Sequence, residues 1–455
     1  MSVVGVGFYR SYQQEPDVSV DVAEERESLG VTNDSKPAVL LLQGPVGGFF
    51  NALAEHLRAS SFRVWKVNFN AGDRLFGGGI SFRGGLSDWR HWLADFLTAN
   101  SIDVIVLFGS ERPAHVVARK LAQDLGIVVL SLEEGYVRSG FITAERGGNN
   151  ASSPLAGIIP ADDQACLQDI PVRQFKSFSR MSALGAAYYL ARSLATHGRS
   201  KELFHRRFIL PVEVFYWLRN MYRRYRGQAS NFHTIERLLE HSDKAFYLVP
   251  LQVSVDANLQ SAALGWNSTR LISESIHSFS RSAPATTRLV FKVHPMERGH
   301  CNYIGFIRDL AHQLGVADRV DVIDIGSMGL LARHSAGMIT INSTSGLSAI
   351  FHGVPLMVVG KALYANPLLA TCAHGEPDFD EFWEGGFVAP RKLRTRYIQW
   401  LKQESLIPGD FYVREGMEVA CYGIEERILD LLSAKTCSED VELAVKRSDP
   451  LAANA

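Results

Sequence analysis

The sequence predicts an α/β fold: two Rossmann-like domains facing each other across a cleft. Three observations carry that expectation. The chain has 455 residues, too many for one ordinary hydrophobic core and enough for two domains of roughly 150 to 250 residues. Short continuous apolar runs alternate with helical patterns in two separate blocks, as parallel strands and their covering helices do. Polar or charged residues follow several of those runs directly, at the carboxyl edge where open α/β sheets hold ligands.

Composition narrows the class further. Hydrophobic residues make up 46% of the chain, and 47 basic residues stand against 48 acidic ones, a balance that argues against a nucleic-acid binder. The five cysteines, Cys166, Cys301, Cys372, Cys421 and Cys437, lie far apart without CxxC spacing. They indicate neither a zinc site nor a disulfide framework, and they fit a reducing compartment. The N-terminal residues lack a basic stretch followed by a long apolar core, and no run of about eighteen apolar residues occurs. The expectation is a cytoplasmic, non-spanning protein without a metal or other cofactor.

Residues 1–36 are polar and acidic and read as a flexible lead-in. An N-terminal α/β domain is expected over 37–165. It opens with the apolar run Ala38–Leu42, then Gln43, Gly44, Pro45, Val46, Gly47 and Gly48, then a helical pattern. The glycine spacing matches neither a P-loop nor a full GxGxxG, so tight packing of the turn and phosphate binding both stay open. A second strand over 62–69 leads to Asn68, Asn70 and Asp73, whose side chains are placed to face a cleft. After a tryptophan-rich helix comes a third strand over 102–108, then Ser110, Glu111 and Arg112, with Pro113 suited to a helix start just before His115.

The apolar run 127–130 ends in SLEEGYVRSG, residues 131–140, which puts two adjacent carboxylates, Glu133 and Glu134, at the end of a buried strand. One reading makes them a catalytic site; the other has them cap a following helix or pair with Arg138 at the surface. Glu111, His115, Glu133, Glu134 and Arg138 are expected on successive strand-to-helix turns along one edge, and that convergence favours a site.

Residues 166–230 differ in character. Between Arg173 and Arg226 the basic residues, among them Arg206, Arg207, Arg219, Arg223 and Arg224, face only Glu202 and Glu213. Aromatic residues such as Phe215, Tyr216, Trp217, Tyr222 and Tyr225 are interleaved with them. That mixture suits an anionic membrane surface, with a solvated helical face or an RNA-binding patch as alternatives. A boundary is expected at Arg226, Gly227 and Gln228.

The second α/β domain is expected over 231–435, with a disordered tail over 436–455. Strands are expected at 244–249, 288–293, 319–323, 338–341 and 355–359. Gln252 follows the first of these, and His294, Glu297 and Arg298 follow the second. Asn342, Ser343 and Thr344 follow the fourth and start the helix that ends in His352. Serine and threonine at a helix start cap it in any protein, and the same hydroxyls and free amides suit a phosphate. Two such halves are the architecture of a GT-B-like glycosyltransferase, and equally of a nucleotide-sugar epimerase.

The motifs LLLQGPVGGFF, KVNFN with Gly72 and Asp73, GSERPAH, EEGYVR, LVPLQVSVD, FKVHPMERG and INSTSGLSAIFHGVPLMVVGKALY, in this order, resemble the capsule polysaccharide KpsS/LipB family. The match covers most of residues 38–370. The chain departs from the family pattern at Ser110, where an acidic residue is expected, at Ser139 and Gly140, where a Pro-Asp pair is expected, and at Val293, where a basic residue or histidine is expected. The resemblance implies a retaining β-Kdo transferase that uses CMP-Kdo and a phosphatidylglycerol-type lipid acceptor, starting the poly-Kdo linker of a capsule. It also implies a place at the cytoplasmic face of the inner membrane, with an anionic membrane surface and other capsule biosynthesis and export proteins as partners.

Carried over residue by residue, the resemblance makes Glu134 the catalytic carboxylate; the double displacement that net retention then suggests would use Glu134 as nucleophile, with Glu133 or His115 as base and Arg138 beside them. His294 and Arg298 would hold the donor's carboxylate or phosphate, and Ser343 and Thr344 the leaving CMP. The expected substrate-binding set is Gln43, Gly44, Asn68, Asn70, Asp73, Glu111, Gln252, His294, Glu297, Arg298, Asn342, Ser343, Thr344 and His352. The residues 37–165 would serve acceptor and catalysis, and 231–435 the nucleotide-sugar. The alternatives are a nucleotide-sugar epimerase or hydrolase of the same fold, or a non-catalytic, membrane-docked subunit of capsule assembly.

Overall fold

The computed structural model describes residues 36–137, 140–161, 173–195, 202–203, 210–254, 256–372 and 377–448. The first sheet is built from β1 (Ala38–Leu42), β2 (Arg63–Asn68), β3 (Ile80–Ser81), β4 (Val104–Phe108), β5 (Val128–Glu134) and β6 (Phe141–Arg146). Between them run α1 (Phe49–Ala59), α2 (Ala71–Leu75), α3 (Leu86–Ala99) and α4 (Pro113–Asp124). Two further helices, α5 (Phe178–Ala195) and α6 (Leu210–His241), lead to the second half.

The second sheet contains β7 (Phe246–Pro250), β8 (Arg288–Lys292), β9 (Val320–Ile323), β10 (Gly337–Thr340), β11 (Leu356–Val358) and β12 (Thr371–Cys372). Its connecting helices are α7 (Ala257–Ala262), α8 (Ser268–Ser282), α9 (Tyr303–Gln313), α10 (Met328–His334) and α11 (Gly346–His352). The chain closes with α12 (Phe379–Phe382), α13 (Arg391–Ser405), β13 (Leu406–Pro408) and α14 (Arg414–Ser448).

Strand order shows the Rossmann character. The first sheet runs β3-β2-β1-β4-β5 in parallel, and the second runs β9-β8-β7-β10-β11-β12, parallel throughout. The strands are buried on both faces, so their side chains alternate between two cores. From β1, Val39 and Leu41 pack with Phe49 and Leu53 of α1, while Leu40 and Leu42 pack with Trp89 and Leu93 of α3. From β7, Phe246 and Leu248 enter one core and Tyr247 and Val249 the other.

Four sequence expectations change. After β5 the chain does not enter a helix: Gly135 opens a hairpin into β6, antiparallel to β5, with Glu133 opposite Thr143 and Glu134 opposite Ile142. A Cβ at Gly135 would collide with the Phe141 carbonyl, so the turn needs glycine. The run 141–144, Phe-Ile-Thr-Ala, is aromatic and β-branched and suits a strand. The first sheet is therefore mixed at this edge.

The boundary expected at Gly227 lies inside α6, which passes through it without a break. The end of the chain does not stay with the second domain. β13 adds to β6, and Ala420, Ile424 and Ile428 of α14 fill the core above α1. That helix also runs to Ser448, past the expected start of a disordered tail at 436. Residues 1–35 and the 449–455 end of that tail lie outside the described residues. Among the described residues no helix is long and apolar enough to cross a membrane.

Candidate active site in the interdomain cleft

A cleft of about 810 Å³ lies between the two sheets. Its far wall comes from the second sheet, at the carboxyl ends of β7, β8 and β10. The order β8-β7-β10 reverses its connection direction between β7 and β10, and a crevice opens at such a point. Gln252 follows β7 and Asn342 follows β10, and the two interlock. Gln252 Nε2 donates to Asn342 Oδ1 (2.8 Å), and Asn342 N donates back to Gln252 Oε1 (3.2 Å). This reciprocal pair fixes the root of the loop 342–345. Ser343 Oγ accepts from Ser345 N (3.2 Å) and Ser345 Oγ (2.8 Å), and the buried Tyr364 hydroxyl donates to Ser343 O. Ser345, the residue before α11, makes no side-chain cap, so the expected serine cap is replaced by this hydroxyl turn.

Lys292, the last residue of β8, also lines the cleft and is only 9% exposed. Burial pushes its pKa down, opposed by Asp324 and assisted by Arg298. His294 follows, and its Nδ1 accepts from Met296 N (3.2 Å), which leaves the proton of a neutral ring on Nε2. His352 lies on the same wall. Burial first, then Arg333, Lys244 and His334, hold its pKa below the ordinary histidine value.

The near wall comes from the β5–β6 hairpin and the segment after it: Glu133, Tyr136, Val137 and Asn150. Successive residues of a strand face opposite ways, so only one of the paired carboxylates lines this cleft. It is Glu133. Glu134 faces the other side of the sheet, where its Oε1 accepts from the Tyr412 hydroxyl (2.7 Å).

Several expected site residues do other work. His115 is fully buried, with Nδ1 at 2.8 Å from the Gly109 carbonyl, so it braces the β4–α4 turn and is not among the residues lining the cleft. Glu111 pairs with Arg119 (2.8 Å). Arg298, 5% exposed, pairs with Asp324 (2.5 Å) and donates to the Asp324 carbonyl and to Asn220 Oδ1. Glu297 is buried and accepts from Ser254 and Cys301. Neither is offered to the cleft, because both are consumed in shaping the turn after β8. Arg138 lies outside the described residues.

Gln43, Gly44, Asn68 and Asp73 line a separate small pocket, closed by Tyr188 of α5. There Asn70 caps α2 in a capping box with Asp73, and the Tyr188 hydroxyl accepts from Gln43 and Asn70 and donates to Asp73. The sequence therefore identified Glu133, Gln252, His294, Asn342, Ser343, Thr344 and His352 as cleft residues. It missed Lys292, Tyr136 and Asn150. A lysine ending an apolar strand was a usable signal for the first.

The described residues bring no group of three or more metal-ligating side chains together. With a carboxylate on one wall and a cation, imidazole and hydroxyls on the other, the cleft is suited to an anionic, phosphate-bearing ligand with an electrophilic carbon between.

A family model described as "Capsule polysaccharide biosynthesis protein" matches residues 103–412. The chain is 34% identical over 381 residues to the capsule polysaccharide export protein KpsS of Escherichia coli, covering 82% of this chain and 96% of that one. It is 30% identical over 402 residues to the capsule polysaccharide modification protein LipB of Neisseria meningitidis serogroup A, covering 83% and 92%. Among solved structures, the beta Kdo 2,7 transferase KpsC of Thermosulfurimonas dismutans aligns at 13% identity with a TM-score of 0.40, over 85% of this chain and 98% of that one.

Proposed function

The chain belongs to the capsule polysaccharide biosynthesis family, and from that premise we propose that it is a retaining β-Kdo glycosyltransferase. It moves Kdo from CMP-Kdo to a phosphatidylglycerol-type lipid, and so starts the poly-Kdo linker of a capsule. The observation that carries this reading is the cleft itself: the carboxylate of Glu133 on one wall and Lys292, His294 and the Ser343–Ser345 hydroxyls on the other. CMP-Kdo carries a phosphate and a sugar carboxylate, and the second wall offers donors to both.

In this mechanism Lys292 and the loop hydroxyls hold the phosphate, and His294 Nε2–H donates to the sugar carboxylate. Glu133 attacks the anomeric carbon. The carbon–oxygen bond to phosphate breaks and its electron pair leaves with CMP. The acceptor hydroxyl then attacks the same carbon, passes its proton to the held phosphate and displaces Glu133, for net retention.

The family resemblance favours Glu134 for the same role, so the two carboxylates are tested side by side. Transfer from CMP-Kdo to a phosphatidylglycerol analogue, followed by mass spectrometry, should fall at least about a thousandfold in Glu133→Gln, the order of loss for a nucleophile. Glu134→Gln, which keeps a partner for Tyr412, should stay within about tenfold of wild type. The reverse ranking would move the nucleophile to Glu134. Turnover of the nucleotide-sugar without an acceptor would favour the epimerase or hydrolase reading.

A further inference from the structure

The two walls of the cleft are joined by a chain of buried hydrogen bonds that passes through Asn150. This residue begins a short 3-10 turn, Asn150–Ser152, after β6, with φ +50°, the left-handed region that asparagine tolerates better than most residues. Its side chain reaches the second domain. Nδ2 donates to the Asn342 carbonyl (3.1 Å), and Oδ1 accepts from Leu363 N (3.1 Å).

Behind it the chain continues into the first domain. Asn150 N donates to the Tyr136 hydroxyl (2.5 Å), which donates to Glu145 Oε2 (2.6 Å). Glu145 Oε1 accepts from Ser153 (2.8 Å) and from Ser405 (2.7 Å), which lies just before β13. In front, Asn342 interlocks with Gln252. All these side chains are buried, where a broken link leaves a polar group without water.

We propose that Asn150 is a positioning residue that sets the loop 342–345 against the Glu133-bearing hairpin, so that binding on the second domain depends on a side chain from the first. Other contacts also dock the domains. Gly157 N donates to the Leu363 carbonyl (2.8 Å), Asn366 Nδ2 donates to the Gly157 carbonyl (2.8 Å), and Tyr136 and Phe141 pack into the second domain's core. At Asn342 itself, the Asn150 side chain reaches across from the first domain to the loop root.

Two variants separate positioning from folding. Asn150→Gly keeps the left-handed backbone available and removes both side-chain bonds. Asn150→Asp keeps the acceptor for Leu363 N but turns an oxygen towards the Asn342 carbonyl. Amide hydrogen exchange of the full-length, ligand-free protein is read first, because it does not depend on which sugar is used. Exchange across 341–347 should rise about fivefold or more in both variants, the scale of one lost buried hydrogen bond, with β1 and β4 unchanged.

The kinetic arm rests on the transferase reading: KM for CMP-Kdo should rise about tenfold while kcat stays within about threefold. Wild-type exchange and KM in Asn150→Asp would overturn the proposal, as would a uniform rise in exchange through both domains in Asn150→Gly. If the wild-type protein turns over no CMP-Kdo, the transferase reading fails, and the exchange measurement alone decides the role of Asn150.

Discussion

Lys292 and Glu133 stand on opposite walls of one cleft, and the charge on each sets what the space between them can hold. Burial holds Lys292 below the ordinary lysine pKa, and its protonated form is the one that attracts a phosphate. Donor affinity should therefore decline with rising pH at values below about 10.4, the ordinary lysine midpoint. Arginine keeps its charge far higher, so Lys292→Arg should extend the alkaline limb of kcat/KM against pH, while Lys292→Met should lower kcat/KM about a hundredfold. An Arg variant whose alkaline limb coincides with that of the wild type would remove Lys292 from the phosphate. The residue types at this site were legible in the sequence: adjacent acids after an apolar run, histidine after a strand, a serine and threonine cluster before a helix. Which of them line the cleft was not, because Arg298, Glu297 and His115 are held by partners more than five residues away or by complete burial.

The β5–β6 hairpin decides between Glu133 and Glu134, since a strand's side chains alternate and a shift of one residue exchanges the two faces. Helix α6 makes a similar division within the basic segment. Arg219 donates to the Gly299 and His300 carbonyls, and Arg223 to the Arg298 and Cys301 carbonyls, so these two arginines clamp the turn after β8. On its outer side Leu218, Met221, Tyr222 and Tyr225 recur at helical spacing, with Tyr225 82% exposed, beside the exposed Arg224. That row has the composition that peripheral docking on an anionic bilayer requires, with aromatic rings suited to headgroup depth. Replacing Leu218, Met221 and Tyr225 together by serine should reduce co-sedimentation with phosphatidylglycerol-containing vesicles about tenfold or more, given roughly 0.8 kcal/mol for each buried methylene. Arg223→Ala, by contrast, should loosen the turn after β8. Equal vesicle binding by the triple variant and the wild-type protein would exclude this face.

The chain crosses between its two sheets twice, out through α6 and back through α13 into β13 and α14. The return matters to stability, because Ile424 and Ile428 of α14 are fully buried against α1, and a large aliphatic side chain contributes about 1.5–3 kcal/mol on burial. His56 and Ser60 of the first domain also meet Glu425 of α14, at 2.7 and 2.8 Å. A protein ending at residue 413 should lose the cooperative unfolding of its first domain and bind a hydrophobic dye, with the second domain less affected. A truncated chain with an unaltered thermal transition would show that α14 is dispensable to that core.

The alternation of apolar runs with helical patterns, and the polar residues at the runs' ends, determined two α/β halves and a cleft between them, because both are local periodicities written into neighbouring residues. The ordered motifs likewise carried the family. Tertiary structure alone decided that Glu133 and not Glu134 lines the cleft, that Lys292 joins it, that Asn150 bridges to Asn342, and that β13 completes the first sheet. Each of these turns on contacts between residues far apart in the chain. No local pattern encodes which distant partner a side chain will meet, and packing against that partner fixes whether it is spent on structure or left facing a ligand.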